Sequence, residues 1–72
     1  MMKDIKIDTD YITLGKFLKY VSAVDSGAIA KLVILDGQVL VNGEVEVRRG
    51  KKLRDQDIVS FDGIDYRVVH ED

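Results

Sequence analysis

The chain has 72 residues, room for one domain over 1–72, and a domain of that size buries only about 60% of the surface its unfolded chain exposes. Its 46% apolar and 33% charged residues describe a folded globular chain rather than a disordered one, and the lack of any cysteine excludes disulfides and thiolate metal sites, which favours a reducing, cytoplasmic setting. Eleven basic against thirteen acidic residues leave a formal charge of −2, which excludes a uniformly basic surface; any site for a polyanion has to be local.

At the start, Met1-Met2-Lys3-Asp4 carries no signal-peptide pattern, and Ile5 and Ile7 alternate with Lys6 and Asp8 to predict a short strand from Lys3 to Ile7. Leu14, Phe17, Leu18 and Val21 then fall at i, i+3, i+4 and i+7, the spacing of one apolar helix face, and predict a helix over Thr13 to Val21. Thr13 stands where it can cap the first turn, Ile12 and Phe17 are placed as a hydrophobic staple, and Lys16 and Lys19 fall on the outward face. A second helix is expected from the capping pair Asp25-Ser26 to a glycine exit at Asp36-Gly37. Ala28 to Leu35 is apolar nearly all round, which predicts a helix central to the core, with Lys31 as its only basic residue. The longest apolar run, Leu32 to Leu35, is far short of the roughly 20 residues that a membrane span requires.

Beyond Gly37 the period becomes two. Val39 and Val41 share a face, Asn42-Gly43 is the signature of a type I′ hairpin turn, and Val45 and Val47 are expected to return inward with Glu44 and Glu46 outward. Arg48-Arg49-Gly50-Lys51-Lys52-Leu53-Arg54 follows as a loop holding five of the eleven basic residues, which leaves six basic against thirteen acidic residues elsewhere. A local positive field on an acidic body focuses anions onto that loop. Asp57 to Phe61 and Ile64 to Val69 read as the arms of a second hairpin that turns at Asp62-Gly63. These elements predict an α+β domain with two packed helices against a small antiparallel β-sheet.

Ser26-Gly27-Ala28-Ile29-Ala30-Lys31, the helix that follows to Asp36-Gly37, and Val39-Leu40-Val41-Asn42-Gly43 together resemble the alpha-L RNA-binding motif, the S-four-type domain of a ribosomal small-subunit protein. Asp57-Ile58-Val59-Ser60-Phe61 extends the resemblance, which covers about residues 12–61. Thr13-Leu14-Gly15-Lys16-Phe17-Leu18-Lys19, Ser26-Gly27 and Arg48-Arg49-Gly50-Lys51-Lys52-Leu53 are similar to the stand-alone bacterial YaaA/YbcJ-like subgroup. Two positions depart from the wider family, which usually has Arg where this chain has Gly27 and Gly where it has Gln56. The resemblance implies the alpha-L fold and a binder of structured RNA without chemistry of its own, acting as a monomer with no cofactor. Ribosomal RNA, in assembly or on the ribosome, is the implied target, and tRNA comes second.

The residues supply a physical basis for that reading, because Arg48, Arg49, Lys51, Lys52 and Arg54 can neutralise phosphates and release counterions. Lys16 and Lys19 would continue the patch if their helix face abuts the loop, and Lys31 is expected at the start of the second helix, beside amides that favour phosphate oxygens. Tyr11, Tyr20 and Tyr66 are expected to pack at the edge of the core, which favours recognition of folded RNA by its backbone over reading of bases. The lone His70 has no cysteine and no second histidine to complete a nucleophilic or metal set, and Gly50 lacks the spacing of a phosphate-cradling loop. The reading from a different class is a protein-interaction adaptor that engages its partner through the acidic remainder with Glu44, Glu46 and Leu40.

Overall fold

A computed structural model describes residues 2–71. The chain runs β1 (Met2–Ile7), β2 (Ile12–Thr13), α1 (Leu14–Tyr20), α2 (Gly27–Leu35), β3 (Leu40–Val41), β4 (Glu44–Val45), β5 (Lys52–Leu53), β6 (Ile58–Phe61) and β7 (Ile64–His70). Five strands form one sheet in the order β1-β7-β6-β3-β4, and β2 pairs with β5 in a separate antiparallel ribbon. The main sheet is antiparallel except at β1, which pairs parallel with β7. The α+β architecture thus agrees with the sequence reading, with one parallel edge added to it. Among the described residues, no helix is long and apolar enough to cross a membrane.

Both helices end where local chemistry ends them. At α1 the Ser22 N–H donates to the Lys19 carbonyl and the Ala23 N–H to the Leu18 carbonyl, with Ser22 at φ +59°. At α2 the Gly37 and Gln38 N–H groups donate to Ile34 and Val33, with Gly37 at φ +78°. Each is a left-handed exit that satisfies the last helical carbonyls. Ser26 caps α2 as expected, its Oγ accepting from the Ile29 N–H at 3.2 Å. Asn42-Gly43 and Asp62-Gly63 both hold positive φ at both residues, the geometry of type I′ turns.

The core joins Leu14, Phe17 and Leu18 of α1, Ala30 and Ile34 of α2, and Val39, Val41, Leu53, Val59, Tyr66 and Val68 from the strands and their approaches. Phe17 meets Tyr66 edge to face at 6.0 Å between ring centroids. Two burial expectations fail. Ala30 and Ile34 are the buried residues of α2, while Ile29, Leu32 and Leu35 are 41%, 66% and 59% exposed, so the helix lies on the outside of the core and presents an apolar face outward. Val45 and Val47 also lie outside, because the two-residue turn sets Leu40 against Val45 and Val41 against Glu44. Val45 and Val47 therefore share the face opposite to Val39 and Val41, and it is Glu46 that turns toward the core side, with only 13% of its side chain exposed.

Candidate nucleic-acid interface

The interface begins with the first turn of α1. A helix start leaves its first amides without intrahelical partners. Thr13 occupies the capping position with extended backbone but makes no side-chain capping bond, contrary to expectation. The basic segment takes that role: the Leu14 N–H donates to the Lys51 carbonyl at 2.8 Å and the Gly15 N–H to the Arg49 carbonyl at 3.0 Å. The β2–β5 ribbon, with Ile12 opposite Leu53 and Thr13 opposite Lys52, extends the same junction. Residues more than thirty positions apart are thereby held together by backbone hydrogen bonds.

Gly15 is required by this junction. A Cβ there would stand 2.7 Å from Arg49 Cγ, inside any real contact distance, so glycine lets the arginine stem cross the helix. The result is a depression of about 350 Å³ lined by Thr13, Gly15, Lys16, Lys19, Gly27, Arg49 and Gly50. Lys16, Lys19 and Arg49, separated in sequence, thus rim one concavity. Gly27 and Gly50 line it with open space where a Cβ would stand, and neither has positive φ, so packing and backbone conformation do not demand glycine at either position.

The remaining basic residues have other immediate surroundings. Arg48 is held by Glu46: its Nε donates to Oε2 at 2.9 Å, its Nη2 to Oε1 at 3.0 Å and its backbone N–H to Oε2 at 3.0 Å. The arginine hydrogen bond holds the Glu46 carboxyl at a pKa of about 2, well below its ordinary 4.5, and raises that of Arg48. Arg48 and Lys51 line a recess beside the first hairpin with Glu44 and Glu46. Lys52 and Arg54, two apart on an extended segment, stand against the Tyr11 ring with Nζ at 5.0 Å and Cζ at 5.4 Å from its centroid. The expected single loop is therefore partly a strand, and its five cations occupy three environments. Lys31 is the fifth residue of α2 and not at its start; it is exposed, one helical turn beyond Gly27.

Three residues outside the expected set belong to this region. Glu46 turns inward against the simple alternation, and the signal that places it is the two-residue turn, which fixes its register. Tyr11 and Tyr20 were expected at the core edge; they are 41% and 59% exposed, while Tyr66 is buried. Tyr11 flanks the β2–β5 ribbon beside Lys52 and Arg54, and Tyr20 falls off the Leu14, Phe17 and Leu18 stripe. His70 sits at the end of β7, its backbone N–H donating to Asp55 Oδ1 at 2.8 Å.

The chain belongs to the S4 domain family, whose model matches residues 5–69. Among its relatives is "Probable ribosome maturation protein RlbA" of Bacillus subtilis (strain 168), 44% identical over 71 residues that span 97% of this chain and 100% of that protein. "Putative RNA-binding protein YbcJ" of Escherichia coli (strain K12) is 41% identical over 59 residues, 82% of this chain and 84% of the relative. The solution structure of E. coli YbcJ, described as revealing an alpha-L motif involved in RNA binding, superposes with a TM-score of 0.67 at 35% identity, covering 94% of this chain and 85% of the other.

Proposed function

We propose that this chain binds structured RNA in ribosome maturation, holding phosphates with Lys16, Lys19 and Arg49 and extending the contact to Lys31, Lys51, Lys52 and Arg54. Ribosomal RNA is the first target and tRNA the second. The role is one of binding, performed by a monomer in the cytoplasm, with no chemical step and no cofactor assigned to it. The observation that carries the reading is the pair of backbone bonds from Leu14 and Gly15 to Lys51 and Arg49, which sets two separate basic segments around one concavity on a chain of net charge −2. Family membership and the printed names of RlbA and YbcJ support the same class of partner. Arg48 enters the contact only where phosphate outcompetes Glu46, so its share is the smallest.

The test is a titration of a structured ribosomal RNA fragment and a scrambled hairpin against Lys16→Glu, Lys19→Glu and Lys31→Glu. These exchanges reverse the charge while nearly preserving helix propensity. Phosphate contact predicts weaker binding of both RNAs alike, because every sequence carries the same backbone. Wild-type affinity for both RNAs in all three variants would contradict the proposal.

A further inference from the structure

A second concavity adjoins the first and has a different chemistry. It is a groove of about 590 Å³ whose lining includes Asp8, Asp10, Tyr11 and Tyr20, and it shares Thr13 and Lys16 with the depression beside Arg49. Tyr11 and Tyr20 are the two tyrosines of the chain left 41% and 59% exposed, and both line this groove. The side chain of Tyr20 and the backbone of Tyr11 are each tied down. The Tyr20 hydroxyl donates to the Lys6 carbonyl at 3.0 Å, and Thr9 Oγ1 donates to the Tyr11 carbonyl at 2.8 Å. Lys52 Nζ and Arg54 Cζ stand over the Tyr11 ring, and neither residue lines the groove that the ring borders.

These features select one kind of ligand. Exposed aromatic rings offer a surface to a planar π-system and no benefit to a phosphate. The carboxylates of Asp8 and Asp10 repel an anion and accept hydrogen bonds from amino groups. Lys16, on the rim shared with the cationic depression, suits an anion one step away from the planar group. A planar base with amino donors, linked to a phosphate, meets all three conditions.

We propose that the groove between Tyr11 and Tyr20 receives one unpaired, amino-bearing nucleobase of the bound RNA while the adjoining phosphate sits at Lys16. The inference rests on the RNA-binding reading and adds a preference that backbone contacts alone do not give. Stacking on an aromatic side chain is worth enough to change affinity by about tenfold or more.

The experiment compares two RNA hairpins bound to the full chain, one fully paired and one with a single bulged fluorescent adenine analogue. The bulged hairpin is expected to bind about tenfold more tightly, with a change in fluorescence as the analogue stacks. Tyr20→Leu should remove that preference and keep the affinity for the paired hairpin, Tyr11→Leu should weaken binding of the bulged hairpin more than that of the paired one, Tyr11→Phe should retain the preference, and a bulged uracil, which lacks the amino group, should bind more weakly than a bulged adenine or cytosine. Equal wild-type affinity for the two hairpins with unchanged fluorescence overturns the inference and leaves RNA binding standing. Failure to bind either hairpin overturns both readings. A tyrosine variant that weakens both hairpins equally shows a structural role and overturns the inference as well.

Discussion

Arg48 and Arg49 are adjacent in sequence and differ in their surroundings: the first is clamped by the Glu46 carboxylate, and the second lies over Gly15 on the rim of the depression. Each phosphate contact steepens the fall of log K with log salt by about 0.9 as calibrated on B-DNA, so Arg49→Ala should flatten the slope by about that amount and Arg48→Ala should leave it nearly unchanged. Equal flattening by both would mean that phosphate displaces Glu46. The same clamp has a pH signature. The folded pKa of Glu46 is depressed to about 2 by the Arg48 hydrogen bond, so the contribution is fully present above about 4.5 and is lost as pH falls through about 2. The stability gap between the wild type and Glu46→Gln in urea unfolding should be constant near neutrality and close between those two values; a gap unchanged down to pH 2 would contradict the clamp. The glycines divide in a similar way. Gly15→Ala should displace Arg49 and weaken RNA binding, whereas Gly27→Ala, with open space for its Cβ, should be neutral or stabilise by up to about 1 kcal/mol in thermal unfolding.

At the scale of elements, what was legible in the sequence was local. Asn42-Gly43, Asp62-Gly63 and Gly37 name their backbone geometry by residue type, and all three adopt it. Gly43→Val should accordingly cost on the order of 1–2 kcal/mol at φ +84° while the folded fraction keeps its RNA affinity, read from melting curves and titrations side by side. Gln56, where the wider family resembled here usually has glycine, sits at φ +74° and donates its N–H to the Val68 carbonyl. Gln56→Gly should therefore raise stability, by up to about 1 kcal/mol after the entropy of glycine is subtracted, and a lower melting temperature would contradict this. What was not legible depended on partners far away in sequence. No residue type signals that Arg49 and Lys51 carbonyls will cap α1, because any residue supplies a carbonyl. The apolar run of α2 suggested burial, yet only Ala30 and Ile34 are buried and Val33 packs against the core in part, and periodicity cannot reveal how much of a helix its neighbours cover. Val45 and Val47 misled because β4 is a two-residue edge strand whose register follows from the turn, and Tyr11 and Tyr20 because tyrosine suits a core edge and a wet groove equally well.

For the whole molecule, sheet and core serve to hold α1 against the basic segment. The five-stranded sheet carries Val41, Val59, Tyr66 and Val68 beneath Leu14, Phe17 and Leu18, and the backbone bonds to Arg49 and Lys51 fix where Lys16 and Lys19 meet the loop. A net charge of −2 then works in favour of specificity, since the rest of the chain holds more acidic than basic residues and offers anions little net attraction. The central claim is that this junction is one phosphate-binding surface, and the salt dependence of affinity for a structured RNA tests it most directly. If about four phosphates are neutralised, log K should fall against log salt with a slope near −3.6, and the Lys16→Ala, Lys19→Ala, Arg49→Ala triple variant should flatten it markedly with the fold intact. A wild-type slope near zero, or one that the triple variant leaves unchanged, would contradict it.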